Sequence, residues 1–150
     1  MAHSFVCSYF HCVWSTHERR PLIRTDLKDR LWPYLAGIAR QEHMKALSVG
    51  GTDNHVHVLL SLPATMPIAK AVQLLKCNSS GWVNDELSAY RGFSWQEGYG
   101  AFSVSASAAD RVREYNQRQE EHHRKRTFEE EFLSLLKKHG VAYDPQHVFG

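Results

Sequence analysis

An α+β fold is predicted by three features of the 150-residue sequence. Runs rich in β-branched and aromatic residues recur at 5–16, 46–49, 55–62 and 99–105. Segments with apolar residues at helical spacing separate the first run from the second and the third from the fourth. Two further helical stretches, each opened by a capping signature, follow the last run. The order β-α-β-β-α-β, with two crossovers and antiparallel neighbours, is the ferredoxin-like split βαβ layout with helices on one sheet face. A single domain over 1–150 is expected, because domains commonly run ~100–150 residues.

Residues 5–16 (FVCSYFHCVWST) carry apolar groups on both faces, which predicts a central strand. Arg19, Arg20 and Pro21 form a basic turn. Thr25 is placed to cap a helix with Leu27, Leu31, Leu35 and Ile38 on one stripe, and Pro33 inside it predicts a kink or a later start. After the short strand 46–49, Gly50-Gly51 and Asp53-Asn54 signal a turn. Residues 55–62 (HVHVLLSL) are the strongest strand, closed by Pro63. Pro67 suits the first turn of a second helix bearing Ile68, Val72, Leu75 and Trp82. Residues 88–94 read as a loop and 99–105 (YGAFSVS) as the fourth strand. Ser107, with Asp110 in capping-box register, is expected to open a third helix. Thr127 and Glu130 repeat the signature for a last helix with Phe132, Leu135 and Leu136, ending at Gly140. The tail, 141–150, reads as extended. One sheet face has no cover in this scheme, which points to a dimer or a docked C-terminal helix.

Composition removes several classes. At 43% hydrophobic and 23% charged the chain has an ordinary globular mix. Its longest apolar run, 56–62, is broken by His57 and Ser61 and falls far short of the ~20 residues a membrane span needs. The N-terminus has no basic head, apolar stretch and cleavage site, so no signal peptide is expected. Cys7, Cys12 and Cys77 lack zinc-like spacing, and Cys7 and Cys12 would face opposite sides of a strand, so a reduced, cytoplasmic protein is expected. The net charge of +2 is too mild to require a polyanion partner and does not oppose one. Ten histidines are the one odd count, and they raise the prospect of metal or phosphate chemistry.

His55 and His57 are two apart in a strand, so they project side by side while Val56 enters the opposite face. Two such imidazoles can grip one divalent cation, or they can be polar residues on a solvated face. On the third helix, Tyr115 and Gln119 are four apart and share a face, with His122 continuing the stripe and His123 four beyond Gln119. Opposite the histidine pair they would set a phenol beside a third ligand. Packed into the core or turned to solvent, they would be ordinary amphipathic-helix residues. Arg124, Lys125 and Arg126 form a basic cluster suited to nucleic acid or to a helix C-terminus. Arg19, Arg20, Lys76 and Ser79 are weaker candidates for backbone phosphates. Asn54 reads as a turn residue, His11 as structural, and Trp82, Trp95 and Phe102 as core.

Five motifs in order give these residues a common frame. They are Tyr9-Phe10-His11-Cys12-Val13-Trp14-Ser15 with Arg19-Arg20-Pro21-Leu22, Asp53-Asn54-His55-Val56-His57-Val58-Leu59, and Lys76-Cys77-Asn78-Ser79-Ser80-Gly81-Trp82, then Trp95 to Val104, and Tyr115 to Phe128. Together they resemble the HUH-type single-tyrosine transposases of small insertion-sequence elements, the insertion-sequence two-hundred type, over nearly the whole chain. The resemblance implies that His55, His57 and Gln119 are metal ligands for Mg²⁺ or Mn²⁺ and that Tyr115 is the nucleophile. It implies cutting and rejoining of single-stranded DNA at hairpin-bearing ends through a 5′-phosphotyrosine, without a nucleotide cofactor. A homodimer and a prokaryotic, nucleoid-associated location are implied with it. Two other enzymes of this chemistry stay open, a strand initiator of rolling-circle replication and a domesticated relative acting on dispersed hairpins. A non-catalytic nucleic-acid binder on the same fold is the alternative of another class.

Overall fold

The computed structural model describes residues 3–150. Four strands, β1 (Tyr9–Ser15), β2 (Lys45–Gly51), β3 (His55–Ser61) and β4 (Gly100–Val104), form one sheet in the order β2-β3-β1-β4, antiparallel at every pairing. Helix α1 (Thr25–Gln41) joins β1 to β2 and α2 (Ile68–Glu86) joins β3 to β4. The expected topology is therefore present, with β1 central. Tyr9 pairs with Ser61 on one side and Val104 on the other, so no partner strand continues past it. For that reason the first strand begins at Tyr9 rather than Phe5, and Phe5 and Val6 lie exposed.

Alternation along β1 and β3 divides the sheet between two cores. Cys12, Trp14, Val56, Val58 and Leu60 face α1 and α2, where Leu27, Leu31, Leu35, Ile38, Val72 and Leu75 meet them in the main apolar cluster. Val13 and Phe102 face the other way, onto Phe128, Phe132 and Leu136 of α5 (Phe128–Lys138). The sheet face that the sequence left bare is thus covered by the chain's own C-terminal helix. Burying one large apolar side chain stabilises by about 1.5–3 kcal/mol, so these three residues amply hold that helix down.

Four local expectations are corrected. Thr25 is the first residue of α1 rather than its cap, and Arg24 takes the cap position without a side-chain bond. The helix runs through Pro33, which lies on its exposed side. Ser107 does not cap the third helix: it sits in a 3-10 turn (Ala106–Ala108), where its hydroxyl meets that of Ser105, and α3 (Ala109–Gln117) begins after it. Nor is 141–150 simply extended. Asp144 accepts from the Gln146 amide and pairs with His147, turning the chain so that Phe149 packs by Phe128 and Phe132. The predicted capping box of Thr127 and Glu130 is complete, with both reciprocal bonds made.

Candidate metal and tyrosine site

His55 and His57 project from β3 onto the face covered by α3 and α5, and both are fully buried. The solvated-face alternative is excluded by that burial. The third helix is not continuous: α3 ends at Gln117, Arg118 departs from helical geometry, and a short α4 (Gln119–His122) follows. Tyr115 and Gln119 consequently sit on successive helices, yet both still face the imidazole pair. The Gln119 Oε1 atom lies 3.0 Å from His55 Nε2 and 3.2 Å from His123 Nε2.

A glycine sets how closely α3 approaches. A Cβ at Gly50 would stand 1.9 Å from the backbone oxygen of Asn116, the residue after Tyr115. Buried Asn116 also donates to the Ser48 hydroxyl, at 3.1 Å, which pins the same turn to β2.

Glu131, on α5, is the residue that sequence reasoning missed. It is fully buried, and its Oε1 lies 2.9 Å from His57 Nε2, 3.1 Å from His123 Nε2 and 3.6 Å from His55 Nε2. Its Oε2 accepts a short hydrogen bond from the Tyr115 hydroxyl. A signal existed: Glu131 is three residues after Phe128 and one before Phe132, so it falls on the buried stripe of α5. It was hidden among Glu129 and Glu130, which suit a helix's first turn for electrostatic reasons alone. His123 was noted by spacing but given no role.

Outer partners orient the rings. His57 Nδ1 is 2.7 Å from His11 Nε2. His55 Nδ1 is 2.9 Å from Asn54 Oδ1 and 3.0 Å from Thr52 Oγ1. His11 and Asn54 thus hold fold and site together, as outer partners of metal-binding histidines do. Among ligand-type side chains, His55, His57, His123 and Glu131 bring one donor atom each within 4.8 Å of the others.

The donor chemistry fits a divalent cation. Burial, reinforced by His57, pushes His55 down to about 3, so its ring is neutral at pH 7. Both ring nitrogens of His55 face acceptor oxygens, Nδ1 that of Asn54 and Nε2 those of Gln119 and Glu131, and a neutral ring has one N–H to offer. Lone pairs turned on one another leave an electron-rich centre that a cation satisfies. For Glu131, burial alone raises the carboxyl, but hydrogen bonds from His123 and His57 outweigh it and keep the group ionised.

The phenol lies at the edge of this centre. Its oxygen also accepts from Arg126 Nη2 at 3.0 Å, and its ring stacks on His122 with centroids 4.3 Å apart. Burial and the hydrogen bond to Glu131 push the Tyr115 hydroxyl up to about 12, while Arg126 pulls the other way. Tyr115 itself is only half-buried, so the phenol keeps an open side.

The expected phosphate contacts are dispersed. Arg19 bonds Glu129 and the Phe149 carbonyl and lies over the Phe149 ring, tying down the tail. Arg20 is exposed and pairs with Glu18. Lys76 donates to the carbonyls of Glu97 and Gly98, and burial lowers its ammonium to about 8. The buried Ser79 hydroxyl accepts from Trp95 Nε1 and donates to the Lys76 carbonyl, so it is used inside the fold. Arg124 and Lys125 are exposed in the turn after α4, and Arg126 is turned inward to the phenol. Trp95 and Phe102 are core residues, and Trp82 stacks on Tyr34.

Among the described residues no helix is long and apolar enough to cross a membrane. No curated protein matches the sequence. Among solved structures, a candidate transposase from Deinococcus radiodurans R1 superposes with a TM-score of 0.60 at 22% identity, over 77% of this chain and 92% of its own. A REP-associated tyrosine transposase bound to a REP hairpin superposes with a TM-score of 0.56 at 11% identity, over 77% of this chain and 68% of its own. These likenesses establish the shared fold. The sequence profile described as "Transposase IS200 like" matches residues 4–119, from before β1 through the tyrosine helix to Gln119. On that match, the chain belongs to the IS200-like transposase family.

Proposed function

We propose that this transposase cuts and rejoins single-stranded DNA at hairpin-bearing ends, with Tyr115 as the nucleophile. The observation that carries the reading is the double use of Glu131: one oxygen accepts from the phenol while the other faces His57 and His123. His55, His57 and Gln119 would hold Mg²⁺ or Mn²⁺, joined by Glu131 and His123. Nitrogen ligands with one carboxylate favour Mn²⁺ of the two, because Mg²⁺ prefers an oxygen shell. Such an ion supplies positive charge at the scissile phosphate, which lowers the cost of the charge that develops there.

The chain's own residues account for the rest. The Tyr115 oxygen forms a bond to phosphorus as the bond from phosphorus to the 3′ oxygen breaks. Glu131, already the phenol's acceptor, takes its proton, and the departing 3′ oxygen takes one from solvent. Arg126, 3.0 Å from that oxygen, balances the negative charge it gains as the proton leaves. The phosphotyrosine conserves the bond's energy, so the strand can be rejoined without a nucleotide cofactor. The solved hairpin complex of a structural neighbour supports a hairpin as the recognised element. Tyr115 beside its own chain's imidazoles supports assembly of the site within one chain. The homodimer rests on the family resemblance, since α5 covers the face that a second copy was expected to need.

The test is a labelled hairpin oligonucleotide from the DNA flanking the gene, incubated with Mn²⁺ and read for a denaturation-resistant protein–DNA adduct. Tyr115→Phe is expected to abolish the adduct and keep hairpin binding. An adduct on the Phe variant would assign the nucleophile elsewhere.

A further inference from the structure

Beyond the metal centre, a cleft of about 540 Å³ opens beside Tyr115 between the β1–β4 side of the sheet, α3 and α5. This volume suits a small polar ligand or a strand segment. Arg111 on α3, Arg126 in the turn and Lys138 near the end of α5 contribute cations to its lining, Ser103 and Ser105 hydroxyls, and no carboxylate lines it. A second opening, of about 300 Å³, reaches the site from the His123 side and shares no lining residue with the first. There Lys28 and Arg124 are offset by Asp53 and Glu120, and Lys28 is already paired with Glu120. The two approaches therefore differ in charge.

We propose that the basic cleft holds the backbone phosphates of the strand that stays attached to Tyr115, the nucleotides on the 3′ side of the cut. The proposal rests on the transesterification reading above. In-line displacement puts the attacking and leaving oxygens on opposite sides of phosphorus. The strand ending in the freed 3′ hydroxyl thus departs away from the Tyr115 oxygen, while the retained strand continues from an equatorial oxygen of the same phosphorus and stays tethered beside the phenol. The cleft that opens beside the phenol is the carboxylate-free one. Arg126, 3.0 Å from the phenol oxygen, stands where this strand's first phosphate comes to rest, and Arg111 and Lys138 lie farther along the cleft. Retention matters because rejoining requires the covalent strand to stay in place while one 3′ end is exchanged for another.

The test uses Arg111→Ala with Lys138→Ala, two exposed side chains outside the metal centre. Binding is measured by anisotropy in the Tyr115→Phe background with two hairpin oligonucleotides from the flanking DNA. One ends at the wild-type cut and the other continues several nucleotides past it. The double variant should bind the longer oligonucleotide about tenfold more weakly at low salt, with its log–log salt slope reduced by about 1.4 for the two lost phosphate contacts. It should bind the shorter one like its parent, and Arg111→Lys with Lys138→Arg should restore the longer one. Equal losses on both oligonucleotides, or none on either, overturn the assignment. If the wild type forms an adduct while the variants bind normally, only the cleft's role is lost. If the wild type forms no adduct, the nucleophile reading and the cleft fall together.

Discussion

Acidification should destabilise the metal-free protein in a way that the buried imidazoles dictate. His55 is fully buried and held down to about 3, while an unfolded histidine titrates near ~6.5. Between those values the unfolded chain binds a proton that the folded chain refuses, so stability is lost as pH falls. The slope approaches about 1.4 kcal/mol per pH unit for one such group, or about 2 kcal/mol for His55 between pH 7 and pH 5. His11, lowered by burial and then by His57, acts with the same sign over the same window. Glu131, held low, loses stability as pH falls through the ordinary carboxylate range and adds little above pH 5. Urea unfolding in the presence of a chelator, from pH 7 to 5, measures the effect. His55→Asn should flatten the profile by about 2 kcal/mol whatever its cost at pH 7. A wild-type profile that is flat or rises toward pH 5 would refute the claim that these rings are buried neutral.

The other predictions concern the geometry that presents the site. Glu131→Gln keeps the shape but removes the one anionic donor, so Mn²⁺ affinity by calorimetry should fall at least about tenfold; unchanged affinity would remove Glu131 from the metal set. Gly50→Ala forces a methyl group against the Asn116 carbonyl. It should lower adduct formation by about a hundredfold or more, the scale of a misplaced reacting group, while the α1–α2 core still unfolds cooperatively. Wild-type adduct yields from that variant would show that α3 adjusts without moving Tyr115.

The order of elements along the chain, the central place of β1 and the face shared by His55 and His57 were legible because period-two and helical spacing act locally. The capping box at Thr127 was legible for the same reason. What escaped depended on contacts far apart in sequence. The break at Arg118 is marked by no Gly or Pro. Ser107 lost its capping role because Ser105 engages its hydroxyl before the helix begins. Glu131 looks like its acidic neighbours until α5 is laid on the second sheet face, and only then does it reach three histidines and a phenol. The resemblance supplied the roles of the two histidines, the glutamine and the tyrosine, but its last motif stops at Phe128, the first residue of α5 and three short of Glu131.

The alternation along β3 has a consequence for how such a protein could change. His55 and His57 answer to the polar centre and Val56, Val58 and Leu60 to the aliphatic interior, with one backbone serving both. Sliding β3 by a single residue against β1 would exchange the two sets. Valines would then line the polar cavity, and imidazoles would be driven among leucines. The apolar core and the candidate cation site would fail in one stroke, so the strand's register matters as much as any side chain it carries.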